Sequence, residues 1–177
     1  MNKHYENGLE LSQRMLKGIN ALADNVGSTL GPKGRNVALF HKEQNVPVVT
    51  KDGVTVAQFI EFDDPFENLG AQIVKQAAEQ SASNAGDGTT TATVLSRAII
   101  EKSQKYLASG ASPIEIKRGM DKACQTIIEN LRDTAIPIRS EQDIRHVATI
   151  SANNDVSIGT LISTAVDAVG KDGGVLV

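Results

Sequence analysis

Asp87 lies between Gly86 and Gly88 and leads into Thr89, Thr90 and Thr91, ahead of the run Ala92-Thr93-Val94-Leu95. A helix opening at that point presents unpaired backbone N–H groups and the positive end of its dipole, both suited to phosphate. Glycines let a ligand approach the backbone, and threonine hydroxyls add donors beside it. A carboxylate next to phosphate repels it unless a cation sits between them. Mg2+ is commonly held by one or two carboxylates together with phosphate oxygens, so the pattern suits a metal–nucleotide. A plain helix cap by Asp87 or a threonine would use the same residues without a ligand.

Two more loops carry similar residue types. Thr29-Leu30-Gly31-Pro32-Lys33-Gly34 follows a helical stripe, so its free backbone groups are within reach of a nucleotide. It is not a Walker loop, since Gly-x-x-x-x-Gly-Lys-Ser/Thr occurs nowhere in the chain. Taken alone, a C-terminal helix turn explains it better. Lys51-Asp52-Gly53 closes a predicted hairpin, with Asp52 placed to cap the next helix. Three such loops at element boundaries point to one site more strongly than any of them alone.

The elements that must position these loops are mostly helical. Leu11, Met15, Ile19, Leu22, Val26 and Leu30 recur at helical spacing and predict a long amphipathic helix that breaks in Gly27–Gly34. Asn36–Phe40 and Val46–Thr50 predict two short strands joined by the polar turn 41–45, and Val54–Ile60 a short helix. Asp64-Pro65 is a helix start, with Phe66, Leu69, Ile73, Ala77 and Ser81 continuing on one face. A helix from the Gly86–Thr91 loop runs to about Leu107 and ends at Gly110. Ser112-Pro113-Ile114-Glu115 opens another, whose stripe is Ile116, Met120, Ala123, Ile127 and Leu131. These helices are expected to pack on one another. After Arg132 the segment around Pro137 reads as extended and hinge-like, followed by helices near 141–149 and 156–169 and a β-prone end at Val175–Val177.

Composition narrows the classes. Hydrophobic residues make up 40% of the 177 residues but aromatics only 3%, so the core must be aliphatic and alanine-rich, with close helix packing. The net charge of −3 provides no field that draws nucleic acid or an anionic membrane. Residues 1–6 lack a signal-peptide run, and a cytoplasmic location is expected. The single Cys124 is expected to be a buried structural thiol. His4, His41 and His146 lack ligand spacing for zinc.

The order and wording of the motifs resemble the GroEL-type, group I chaperonins. The resemblance rests on Thr29–Val37, Thr50–Val54, Phe66–Gln72, Ala85–Leu95, Lys117–Ala123 and Thr149–Asn153, and runs from about Leu9 to Val177. It implies a mainly α fold: the N-terminal half of an equatorial ATP-binding domain with a small β-hairpin over residues 1–133. The start of an α+β intermediate domain would follow over 134–177, with Pro137 at the hinge.

The resemblance further implies ATP and Mg2+ as cofactors, with K+ as a possible companion ion. Thr29, Leu30, Gly31 and Pro32 would line the nucleotide, Lys51 would lie beside the phosphates, and Asp87 would hold the metal. Gly88, Thr89, Thr90 and Thr91 would cradle the phosphates, and Ile150 and Ser151 would lie near the nucleotide. Asp52 would take an auxiliary catalytic place near the γ-phosphate. Implied partners are further subunits in stacked heptameric rings, a GroES-type co-chaperonin and unfolded polypeptides. Strand 36–40 would meet a neighbouring subunit, and Lys105 and Ser109 a second ring.

By the same resemblance the sequence corresponds to the family's first third. The apical domain, the returning segment with the water-activating aspartate, and the second equatorial half lie outside it. The complete subunit is expected to be an ATP-driven folding machine, and these 177 residues alone are expected not to turn over ATP. The alternative is a stand-alone module that joins or inhibits chaperonin rings. A metabolic kinase is disfavoured, because no acceptor-substrate motif occurs.

Overall fold

The computed structural model describes residues 4–40, 46–170 and 173–174. The expected turn 41–45 and terminal strand 175–177 lie outside the described residues. The elements run α1 (Gly8–Gly27), β1 (Val37–Phe40), β2 (Pro47–Thr50), α2 (Gly53–Phe59), α3 (Pro65–Ala85), α4 (Thr89–Ala108), α5 (Pro113–Thr134), α6 (Glu141–Ser151) and α7 (Val156–Val169). The expected mainly α fold with one hairpin is therefore present. The chain divides into two compact units, 1–116 and 117–177.

In the first unit α1, α3 and α4 pack on one another, and α2 lies against all three. The core is Ile19, Leu22, Val26, Val56, Ala57, Ala71 and Val74, aliphatic and small as the composition requires. Small residues set the spacing between α1 and α3. A Cβ on Gly18 would fall 1.9 Å from the Glu67 carbonyl oxygen, and one on Gly70 would fall 2.1 Å from that of Met15. Each glycine therefore faces the other helix's backbone, which brings the two axes closer than larger side chains permit.

This crossing sets the orientation of α3. Leu69 and Ile73, on the predicted stripe, are 47% and 44% exposed, whereas Gly70, Ala71, Val74, Lys75 and Ala78 are buried. Only the small-residue face can sit against a backbone so near, so the larger side chains turn outward. Leu30, the last member of the α1 stripe, likewise falls past the helix end and is exposed.

Charged groups rim the crossing. Arg14 pairs with Glu6 and Asp64 and lies over the Phe66 ring at 4.8 Å, while Lys17 meets Glu67 at 2.5 Å. Asp64 also caps α3, accepting from the Phe66 and Glu67 amides. Its bonds from Arg14 and from the Glu67 amide lower its pKa from 3.8 to about 2. A depressed carboxylate stabilises the fold above its unfolded pKa and loses that contribution as pH falls through its folded value. Acid unfolding should therefore steepen between pH 4 and pH 2, and Asp64→Asn, which keeps a capping oxygen, should flatten that part of the curve. Circular dichroism against pH for both proteins checks this; identical curves would exclude the pairing.

Strands β1 and β2 form an antiparallel pair in the register Val37↔Thr50 to Phe40↔Pro47, with Leu39 the buried position of β1. The chain then enters α2, whose far end is held by Lys75. That side chain is 4% exposed, and its Nζ donates to the carbonyls of Ile60 and Gln58. Burial lowers the Lys75 pKa, against the opposing pull of Glu61 and Glu79.

In the second unit α6 opens on a capping box between Ser140 and Asp143 and packs on α7. Gly159 is where α7 approaches α6: a Cβ there would lie 2.0 Å from Thr149 Oγ1. Asn153 and Asn154, at φ 56° and 66°, make the turn between the helices, and Asp155 caps α7. No residue of α5 is buried. Its predicted stripe through Met120, Ile127 and Leu131 is exposed. Cys124 is exposed with it, which corrects the expected buried thiol. Among the described residues no helix is long and apolar enough to cross a membrane.

Candidate functional site

The loop after α1 is knit to itself. Thr29 Oγ1 donates to the Val26 carbonyl at 2.8 Å, Gly34 N–H to Gly31, and Arg35 N–H to Ser28. Gly31 takes a positive φ of 76°, and a Cβ on Gly34 would fall 2.1 Å from the Thr29 oxygen. The turn therefore needs both glycines and presents Leu30, Gly31 and Pro32 at the surface.

Asp52 does cap α2: its Oδ2 accepts from the Thr55 amide at 2.8 Å and the Thr55 hydroxyl at 2.6 Å. Partial burial raises its pKa, but the bonds from Thr55 and the Val54 amide outweigh it, so the carboxyl stays below its ordinary range. It is an anion at neutral pH. Lys51 precedes it and is exposed.

The central loop is a pair of left-handed glycines around one aspartate. Gly86 ends α3 at φ 70°, with its N–H on the Ala82 carbonyl, and Gly88 starts α4 at φ 77°. Asp87 stands one residue before the N-cap of α4, which is Gly88, and its Oδ1 accepts from the Gly88 amide at 2.6 Å. The first turn of α4 carries its N–H groups beside the hydroxyls of Thr89, Thr90 and Thr91, a combination suited to an anion.

These loops meet. The hydroxyls of Thr29 and Thr90 lie 3.4 Å apart. A Cβ on Gly53 would fall 2.2 Å from Thr90 Oγ1 and 3.2 Å from Thr89 Oγ1. Thr93, fully buried one turn on, bonds the Thr89 carbonyl and seats the start of α4 in the core. The ends of α1 and α3 and the starts of α2 and α4 thus form one cluster. Its donors are amides and hydroxyls, and Asp52 and Asp87 add carboxylates. That donor set fits a phosphate chain with a divalent cation, since neither partner alone balances both the anion-seeking amides and the carboxylates.

The predicted residues Thr29, Leu30, Gly31, Pro32, Lys51, Asp52, Asp87, Gly88, Thr89, Thr90 and Thr91 all belong to the first unit, on these three loops. Ile150 and Ser151 end α6 in the second unit. Two supporting residues were not apparent as such from sequence. Gly53 reads as a turn residue, although its missing side chain is what admits Thr90. Ser81 reads as one member of a helix stripe, yet its hydroxyl donates to the Asp87 carbonyl at 2.8 Å. Its signal was a hydroxyl in the last turn of a helix ended by glycine.

The model of the TCP-1/cpn60 chaperonin family matches residues 22–174. Among solved structures, a group III chaperonin in the open state superposes with a TM-score of 0.75 at 27% identity, covering 90% of this chain and 32% of that one. The chaperonin gp146 from the bacteriophage EL 2 (Pseudomonas aeruginosa), in the presence of ATP-BeFx, gives a TM-score of 0.75 at 27% identity. It covers 89% of this chain and 28% of its own. The chain spans less than a third of the length of either protein.

Proposed function

This chain belongs to the TCP-1/cpn60 chaperonin family, and from that premise we propose that it is the N-terminal, nucleotide-binding part of an ATP-driven protein-folding subunit. One observation carries the proposal: the Thr29, Gly53 and Thr89–Thr90 positions converge beside the helix start that follows Asp87. The group I, GroEL-type assignment rests on the wording of the motifs. With it come residues 1–133 as equatorial and 134–177 as intermediate domain, stacked heptameric rings, a GroES-type co-chaperonin, unfolded polypeptides as cargo and a cytoplasmic location.

In this reading Asp87 holds Mg2+, and K+ is a second candidate ion. The amides and hydroxyls of Thr89, Thr90 and Thr91 hold the phosphates, and Leu30–Pro32 borders the nucleotide. Lys51 adds positive charge, Asp52 stands as the auxiliary acidic group, and the motif resemblance adds Ile150 and Ser151 to the residues of the nucleotide site. A bound Mg2+ supplies charge stabilisation to the transferring phosphoryl group. Glycine at 53 keeps the α2 start against Thr90, and the glycines at 86 and 88 give Asp87 its turn. The two chaperonins above extend well beyond the length of this chain.

Calorimetry on the 177-residue chain tests the reading. ATP should bind weakly with Mg2+ present and more weakly still with EDTA, and no phosphate release should be detected. Gly53→Val should reduce Mg-ATP affinity by about tenfold or more, because its Cβ displaces Thr90. No binding at saturating Mg-ATP, or an affinity indifferent to Mg2+, would refute the assignment.

A further inference from the structure

Several helical hydroxyls of this chain bond back within their own helix. Ser12, Thr93, Ser103, Thr126 and Thr160 each donate to a carbonyl three or four residues earlier in their own helix. Ser81 instead reaches forward, over the end of α3, to the carbonyl of Asp87 six residues on.

The bonded carbonyl belongs to the Asp87–Gly88 peptide, and the N–H of that same planar unit donates to Asp87 Oδ1. One peptide is therefore gripped at both ends, by Ser81 through its oxygen and by the Asp87 carboxylate through its hydrogen. The grip matters because of what flanks it. Gly86 and Gly88, at φ 70° and 77°, have the widest backbone freedom of any residue type, so the peptide between them is poorly restrained by sterics.

We propose that Ser81 is a positioning residue for Asp87, its hydroxyl fixing the peptide whose carboxylate faces the cation. The inference rests on the Mg-nucleotide reading given above. Ser81 acts through the peptide whose N–H holds the Asp87 carboxylate, so its loss should fall chiefly on the Mg2+-dependent part of nucleotide binding. A role limited to ending α3 would show the opposite pattern, with lowered stability and no metal signature.

Ser81→Ala and Ser81→Thr in the full chain separate these. The gain in ATP affinity on adding Mg2+ should shrink about three- to tenfold in Ser81→Ala, the range expected for one lost hydrogen bond. Affinity in EDTA should stay at the parent value, and Ser81→Thr, which keeps the hydroxyl, should restore the Mg2+ response. Without nucleotide, the Asp87 and Gly88 amide resonances should shift in Ser81→Ala while those of Ile19, Leu22 and Val74 stay in place. A parent chain that binds Mg-ATP and a Ser81→Ala variant with the same Mg2+ response would overturn the inference and leave the nucleotide reading intact. A parent chain with no Mg2+-dependent binding would overturn both.

Discussion

Asp87→Ala is expected to remove Mg2+-dependent nucleotide binding from this chain, and in a complete subunit to lower ATP turnover by on the order of a hundredfold or more. The magnitude follows from what the carboxylate does in the proposed site. It is the acidic group in the turn that opens α4, where the phosphate-directed amides lie, so without it the cation loses its protein anchor. The fold should barely notice. Asp87 is exposed, and the turn's shape is carried by the glycines on either side. A thermal midpoint within a few degrees of the parent is therefore expected, since a lost surface contact contributes about 1 kcal/mol or less. Calorimetry with and without Mg2+, alongside a melting curve, checks both halves. Retained Mg2+ dependence in a folded variant would place the metal elsewhere.

The largest effect on stability should come from Gly18→Val. Its Cβ would be driven against the Glu67 carbonyl, a backbone atom that no rotamer change can move aside. The helices α1 and α3 must then separate, and Ile19 and Leu22 withdraw from Ala71 and Val74 in the same core. Overpacking of this kind costs about 1–3 kcal/mol or more, against a total stability of about 5–15 kcal/mol for a small domain. A fall in melting temperature of more than about 10 °C, or loss of the cooperative transition, is expected. Gly119→Ala is the contrasting control. That glycine lies within α5 with open space around its Cβ, so alanine should raise stability slightly through helix propensity. Equal melting of Gly18→Val and the parent would show that the two helices do not touch there.

Element ends were legible from residue chemistry, because caps and breakers act over a few residues. Asp64-Pro65 starts α3, Gly86 ends it, Asp52 caps α2, and the glycine-rich break stops α1. The hairpin strands are legible for the same reason, and a core of small aliphatic residues followed from a composition nearly free of aromatics. The types of residue that suit a metal–phosphate group were also visible in three separate loops.

What the sequence could not settle was which surfaces meet. The stripe through Leu69 and Ile73 is the more hydrophobic face of α3, yet the glycine–alanine face is buried, because α1 approaches backbone to backbone at Gly18 and Gly70. Cys124 looked like a core thiol and lies exposed on a helix that buries nothing. The meeting of Thr29 with Thr90 joins residues 61 positions apart, and no local preference encodes such a contact. Local propensity acts through a residue's own dihedrals and near neighbours, whereas the closeness of two helices depends on the atoms each leaves out at their crossing. So residue types determined the ends of the elements and the chemistry of the loops. Tertiary packing decided which faces were buried, brought the loops together, and set Ser81 on the Asp87 peptide.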